Sequence, residues 1–359
     1  MTTAPVHDVP LADYTTLGLG GPAARFVTAR DTEELVSAVA AADSVGEPVL
    51  LIGSGSNLVI GDDGFPGTVV HVDSQGVRLT PVGPAGRGRV QLRVSAGAEW
   101  DTLVEYSIAE GLNGLEFLSG IPGRVGSTPI QNVGAYGQEV SETIAEVLVY
   151  DRRTGERRVM AGDECGFTYR NSIFKGDDRY VVCEVVFELT RAHRSRPVRY
   201  AEVARTLGAR IGDQVPLAEA RDVVLRLRRS KGMVLDPGDP DTRSAGSFFT
   251  NPVLGPEEFT EFGKRVAERL GPDVEPPAHP DGTGRVKLSA AWLIEHAGFG
   301  KGYGRGPARI STKHTLALTN PGGATTADLL ELAREVRAGV AEVFGVTLVN
   351  EPVMVGAGL

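Results

Sequence analysis

Three polar residues stand in apolar or small-residue surroundings, and each has a chemistry open to it. Glu351 falls within 348–355, a run that reads as a terminal strand. Burying an acid there is costly unless it is paired or protonated, which makes Glu351 a site candidate; a salt-bridged structural glutamate is the competing reading. Ser247 sits in SAGSFFTNP at 244–252. Small residues at 244–247 let the backbone approach a flat ring system, with Ser247 the hydroxyl at the contact. A tight turn closed by two core phenylalanines accounts for the same residues. Arg170 lies in FTYRNSIFK at 167–175, among aromatic and small polar neighbours, and a surface arginine is the plain alternative.

Two loops have the composition to hold a cofactor. In IPGRVGSTPIQNVGAYG at 121–137, Pro122, Pro129 and the glycines at 123, 126, 134 and 137 deny a continuous helix or strand. Ile121, Val125, Ile130 and Val133 still hold the loop against a core. Its unpaired N–H groups, with Ser127, Thr128, Gln131 and Asn132, then need a polar partner, and a nucleotide cofactor supplies one. An ordinary long turn is the alternative. GSGSN at 53–57 follows a strand over 48–52, but it lacks the third glycine of a dinucleotide fingerprint, and Leu58, Val59 and Ile60 read as another strand. Such a loop can present consecutive N–H groups to a pyrophosphate without a helix, and a plain hairpin turn explains it equally well.

The elements that must position these residues follow from pattern. Asp31 to Glu34 reads as a capping box opening a helix that yields at Gly46. Residues 61–67 form a turn, and the strand 68–72 carries His71 as a strand residue, not a ligand. Residues 80–88 suggest a hairpin tip before an alternating strand at 90–94. Trp100, Leu103, Val104, Ser107 and Ile108 mark one face of a helix stopped by Gly111. A hairpin over 144–160 and an apolar strand over 180–189 give an α+β character. Further on come a helix over 217–229, a linker at 236–242, a Pro- and Gly-rich loop at 272–284, a helix over 288–295 with Trp292 in the core, and a helix over 326–344.

Composition sets limits. A chain of 359 residues suggests about two or three domains. With 37 Lys and Arg against 46 Asp and Glu, the formal charge of -9 argues against a nucleic-acid or anionic-membrane surface. Cys165 and Cys183 fit no CxxC or metal spacing, and the six histidines are scattered, so neither a disulfide framework nor a metal site is indicated. The N-terminal residues lack a signal-peptide pattern and no apolar run is long enough to span a bilayer, so a soluble, cytoplasmic protein is expected.

Taken in order, GSGSN at 53–57, IPG at 121–123 through Gln131 and Asn132 to GAYG at 134–137, YRNSIFK at 169–175 and AGSFFTNP at 245–252 resemble one family. It is the UDP-N-acetylenolpyruvoylglucosamine reductases, flavoenzymes of bacterial cell-wall precursor synthesis, and the likeness covers nearly the whole chain. It implies a two-lobed FAD-binding domain of the vanillyl-alcohol-oxidase/PCMH type, with residues 1–75 as one lobe and 76–228 plus 345–359 as the other. A separate α+β substrate-binding domain is implied over 229–344. Non-covalent FAD would be held by Gly53, Ser54, Gly55, Ser56, Asn57 and Leu58, and by Ile121, Pro122, Gly123, Gly126, Ser127, Thr128, Gln131, Asn132 and Gly134. Tyr136, Tyr200, Lys231, Asn251 and Lys287 fall where members contact a small nucleotide-sugar substrate, and the segment 191–200 resembles that of the class closing a tyrosine over the nucleotide. A monomer is expected.

The implied reaction carries a hydride from the co-substrate NADPH through FAD to C3 of an enolpyruvyl ether. Ser247 matches the family's proton donor to C2, and Arg170 and Glu351 match the pair that polarises the carboxylate and stabilises the enolate-like intermediate. Lys231, through water, would stabilise the serine oxygen. After the glutamate many members read Val-Arg, where Pro352 and Val353 stand here, so one cation expected beside the cofactor is missing. Two alternatives remain. Another FAD enzyme of the same fold, oxidising a sugar or alcohol with oxygen, would be favoured by covalent flavin attachment, yet neither loop carries a histidine. A non-catalytic nucleotide-binding module would keep the glycine loops without needing Arg170, Ser247 and Glu351 together.

Overall fold

In a computed structural model, the described residues are 4–83 and 88–359, and they divide into two compact units. The first comprises the described parts of 1–9, 23–54 and 66–234; the second comprises 10–22, 55–65 and 235–359.

The first unit is organised on two sheets. In one, Phe65–Val72 runs parallel to Val49–Ile52, with Ile52 opposite His71. The helix Thr32–Ser44 precedes Val49–Ile52 and packs Leu35 and Val39 against it. Asp31 caps this helix by accepting from Glu34 N at 2.8 Å, but Glu34 reaches back to Arg30 N (2.9 Å), one residue before the expected partner of a capping box. The second sheet runs antiparallel in the order Glu156–Ala161, Ile144–Asp151, Tyr180–Arg191, Arg89–Ser95, Val77–Pro81. The turn of the expected hairpin at 80–88, residues 84–87, lies outside the described residues. Alternation along Arg89–Ser95 puts Val90, Leu92 and Val94 into a core shared with Trp100, which is 1% exposed. Cys165 and Cys183 are both buried in this unit, and burial pushes the thiols up to about 11 and about 12. Cys165 is therefore a core residue with little thiolate character.

A helix that the sequence pattern did not reveal, Ala201–Leu207, follows Tyr200 and ends at Gly208 (φ +64°). It packs with Leu217–Ser230 around Phe117, Val198, Val203 and Val224. At seven residues it is too short for helical periodicity to stand out.

The second unit is built on the helices Pro256–Leu270, Ala290–His296 and Thr326–Phe344. Thr325 caps the last of these, accepting from Asp328 N at 3.1 Å, and Leu329, Ala333, Val336 and Val340 bury its inner stripe. Leu58–Ile60 runs parallel to Val353–Val355. The two strands flanking residues 53–57 thus belong to different sheets, which removes the plain hairpin reading of that loop.

Four expectations need correction here. The terminal strand covers only Val353–Val355, because Pro352 has no N–H for a ladder, and Glu351 lies just outside it. The helix near 288 starts at Ala290, and Leu288 is the last residue of the strand Val286–Leu288. The loop at 272–284 contributes a short strand, Ala278–Pro280, to that same sheet. Trp292 is half-buried, stacked on His296 with ring centroids 4.0 Å apart. Among the described residues no helix is long and apolar enough to cross a membrane.

Candidate functional site

In the first unit, the loop 121–137 and the motif 167–175 lock together. Ser172 Oγ donates to Ile130 O at 2.6 Å, Asn132 Nδ2 to Thr168 O at 3.1 Å, and Arg170 Nη2 to Gly134 O at 2.5 Å. Asn132 also donates to Glu139 Oε2 (2.7 Å) and accepts from Ser141 N (3.1 Å), while Arg170 Nη1 lies 3.9 Å from Glu139 Oε1. The Arg170 guanidinium sits 5.1 Å from the Tyr169 ring centroid. Among the described residues only four non-glycine residues have positive φ, and three of them are here: Asn132 (+46°), Tyr136 (+50°) and Arg170 (+54°). Left-handed backbone in residues with a Cβ is costly and persists where neighbours over-determine it, which the bonds above do.

The premise that this loop starves for partners is corrected. Its short 3-10 turn, Val125–Ser127, lets Ser127 Oγ donate to Arg124 O (2.6 Å) and Thr128 Oγ1 to Val125 O (2.8 Å), each three residues back. Val125 N donates to Ala98 O and Gly126 N to Ala96 O, at 2.9 and 2.8 Å. The hydroxyl and amide oxygens keep capacity to accept. The better mark of a bound group is Ser54, whose buried Oγ has no hydrogen-bond partner among the described residues. Gly53 beside it packs on Arg124, where a Cβ would stand 2.7 Å from Cγ. Arg124 in turn donates to Gly97 O (2.6 Å) and pairs with Glu99 (3.3 Å) and Asp73 (3.4 Å). These contacts draw residues 53–54 and 121–128 together around an unsatisfied hydroxyl. They fit FAD, which carries hydroxyls and phosphate oxygens of the kind such a buried hydroxyl pairs with.

Farther along the same unit, Tyr136 and Tyr200 meet edge to face at 5.4 Å between centroids. Lys231 Nζ lies 5.8 Å from the Tyr136 ring and 2.7 Å from Glu202 Oε2. Burial, and then the Glu202 and Tyr200 charges against the opposing Arg228, push the Tyr136 phenol up to about 12. Tyr200 is raised too, by burial and then Glu202. The cluster is a Lys231–Glu202 ion pair beside neutral phenols, with Lys231 near the Tyr136 ring.

The second unit gathers the other candidates on paired backbone. Phe249 bridges Asn350, Thr250 N donates to Val349 O (2.9 Å) and Glu351 N to Phe248 O (2.9 Å). Ser247 and Glu351 are thereby carried on adjoining antiparallel segments. Asn251 Oδ1 accepts from Ala290 N (2.9 Å), and Val253 pairs with Lys287. Val353 N donates to Asn57 O (2.9 Å), which brings Asn57 and Leu58 to the same place. The turn closed by two core phenylalanines is what forms at 244–252, with Phe248 and Phe249 each 1% exposed, and Ser247 stays half-buried. Gly55, at φ +56°, lies so close to Tyr14 that a Cβ would fall 2.2 Å from its carbonyl oxygen, so no side chain fits there.

Sequence reasoning missed Glu139, Glu202, Arg124, Arg228 and Glu116. A single charged residue gives no signal in sequence when its partner is brought near only by the fold, and the first four were missed for that reason. Arg228 has a buried Nε without a partner among the described residues, while its Nη2 donates to Met233 O at 2.7 Å. Glu116 did carry a signal, an acid inside the apolar run Leu115, Phe117 and Leu118.

Comparison with known proteins adds the following. A family model described as FAD binding domain matches residues 23–160, and one described as UDP-N-acetylenolpyruvoylglucosamine reductase, C-terminal domain, matches 239–355. The UDP-N-acetylenolpyruvoylglucosamine reductase of Thermobifida fusca is 67% identical over 359 residues, covering 100% of both chains. That of Streptomyces coelicolor is 61% identical over 356 residues, 99% of this chain and 91% of the relative. The crystal structure of the Thermus caldophilus UDP-N-acetylenolpyruvylglucosamine reductase aligns with a TM-score of 0.66 at 26% identity, covering 99% of this chain and 100% of the other. The α+β fold with an FAD-binding domain is thereby borne out.

Proposed function

The chain belongs to the UDP-N-acetylenolpyruvoylglucosamine reductase family and is an FAD-dependent oxidoreductase, and from that premise we propose that it uses NADPH to reduce UDP-N-acetylglucosamine enolpyruvate to UDP-N-acetylmuramate. The step would serve peptidoglycan precursor synthesis in the cytoplasm. The observation that supports the proposal is the backbone bond from Glu351 N to the carbonyl oxygen of Phe248, the residue after Ser247.

The chemistry FAD supplies is the carriage of a hydride from NADPH to C3 of the enolpyruvyl group. Gly53 to Leu58 hold the pyrophosphate side in this reading, and the 121–134 residues named above the isoalloxazine side. Arg170 takes the substrate carboxylate in a fork and stays charged while negative charge builds at C2. Ser247 Oγ gives its proton to C2. Serine is a very weak acid, so this works only because the carbon it meets has become strongly basic. An ionised Glu351 facing a carboxylate would repel it, so Glu351 acts in its protonated form or tied to a cation in the complex. Tyr136, Tyr200, Lys231, Asn251 and Lys287 bind the nucleotide part. The proposed division is 1–75 and 76–228 with 345–359 for the cofactor, and 229–344 for the substrate.

Stopped-flow spectroscopy of Ser247→Ala tests the proposal. Flavin reduction by NADPH should stay intact, and reoxidation by the enolpyruvyl nucleotide should slow by about 10²-fold or more. Equal reoxidation rates in variant and wild type would sink the proton-donor assignment. The purified protein should also be yellow, bleach with NADPH and recolour with the enolpyruvyl nucleotide.

A further inference from the structure

Glu116 opens the short 3-10 turn Glu116–Leu118, is 0% exposed, and has no cation within ion-pairing distance among the described residues. A carboxylate in such a place is tolerated only when hydrogen bonds replace its water. Two backbone donors do so: Gly114 N at 2.6 Å from Oε2 and Arg196 N at 2.5 Å from Oε1. The first bond is local and shapes the turn itself. The second reaches across 80 residues of sequence to the segment that leads into Tyr200.

Neighbouring residues of the same stretch hold the same two targets. Asn113 Nδ2 donates to Arg194 O at 3.0 Å, a second tie to the Tyr200 segment. Phe117 N donates to Gln138 Oε1 at 2.9 Å, and Gln138, 3% exposed, is two residues past Tyr136. The Phe117 ring lies in one apolar cluster with Val198 and with Tyr136 packed against it. A single turn is therefore bonded to both chain segments whose tyrosines stand edge to face. Of these ties only the one through Glu116 uses a charged acceptor, and such hydrogen bonds are the stronger kind.

We infer that Glu116 is a positioning residue for substrate binding, setting the Tyr200 segment against Tyr136 by accepting the Arg196 N–H. This rests on the reading in which Tyr136 and Tyr200 meet the nucleotide. Glu116→Gln keeps the shape and one acceptor but turns an NH2 toward one of two N–H donors. In the FAD-loaded enzyme, KM for the enolpyruvyl nucleotide should rise roughly tenfold. FAD content and the rate of flavin reduction by NADPH should be unchanged, a split that general loosening would not produce. An unchanged KM, or an equal loss in the NADPH half-reaction, overturns the inference. Should Glu116→Gln not retain FAD, Arg196→Pro removes the N–H from the other side and leaves the carboxylate in place; the same split is expected, and its absence overturns the inference. Tyr136→Ala and Tyr200→Ala separate the two levels of argument. If neither raises KM, the nucleotide-binding reading falls with the inference; if both raise it and Glu116→Gln does not, the inference alone falls.

Discussion

The residues assigned to chemistry in the two compact units are held by different means. In the first, Asn132, Tyr136 and Arg170 adopt positive φ, and Asn132 and Arg170 are fixed by side-chain bonds to Glu139, Thr168 and Gly134. In the second, Ser247, Asn251, Lys287 and Glu351 have no positive φ and ride on backbone pairings of 248–253 with 286–288 and 349–351. Strain of about 1–3 kcal/mol per left-handed residue must be repaid by neighbours. Backbone pairing asks nothing of the side chains it carries. In the second group a side chain such as that of Ser247 is thus chosen for its reactive atom, whereas Asn132 and Arg170 in the first also maintain the geometry.

The largest consequence concerns Arg170. Replacing it by Met should slow reoxidation by the enolpyruvyl nucleotide by about 10²–10³-fold, the range for losing one preorganised charge partner in a site. Because Arg170 also donates to Gly134 O, two residues from Tyr136, KM should rise as well. Ser247→Ala should lower the rate with KM little altered. Stopped-flow traces over a range of nucleotide concentrations separate the two effects, and an unchanged KM in Arg170→Met would break the contrast. A smaller effect is expected on stability. Asn132→Ala loses bonds to Glu139, Thr168 and Ser141 in a buried place and should destabilise by about 2 kcal/mol. Asn251→Ala gives up one bond, to Ala290 N, and should cost about 1 kcal/mol. Urea midpoints that rank these two the other way would contradict the account.

Legibility followed the same divide. Helices with long apolar stripes, such as Thr326–Phe344, and alternating strands such as Arg89–Ser95 were readable because one face is buried over many residues. Ala201–Leu207 was not, being only two turns long. For the site, the glycine- and proline-punctuated loops stood out, since such residues advertise irregular backbone. What fills those loops did not, because Asn132 satisfies itself partly through Thr168, 36 residues away, which only the fold brings near. The rule about acids in apolar runs rested, for Glu351, on a strand that the fold does not extend that far. It singled out Glu351 for lying in a strand, and Pro352 keeps it out of one; the acid that is fully buried in an apolar run is Glu116. A run of three or four apolar neighbours carries that signal as well as a strand does.

The smallest effect tests whether the tyrosine cluster depends on burial of neutral phenols. An unfolded phenol titrates near pH ~10, and Tyr136 in the fold is pushed up to about 12, first by burial. Between those values the native state keeps a proton that the unfolded chain has released. Stability then falls as pH rises, because the unfolded state binds fewer protons. The stabilisation is fully present below about pH 10 and lost by about pH 12. Tyr136→Phe has no proton to lose, so its urea midpoint should drop less than that of wild type between pH ~9 and ~11.5. Tyr200→Phe should show the same sign, because burial raises that phenol too. None of Ser247, Asn251, Lys287 or Glu351 is a phenol, so Ser247→Ala should follow the wild-type alkaline slope. Matching slopes for Tyr136→Phe and wild type would mean that Tyr136 is solvated in the folded protein, and that the cluster in the first unit is held no more tightly than the one in the second.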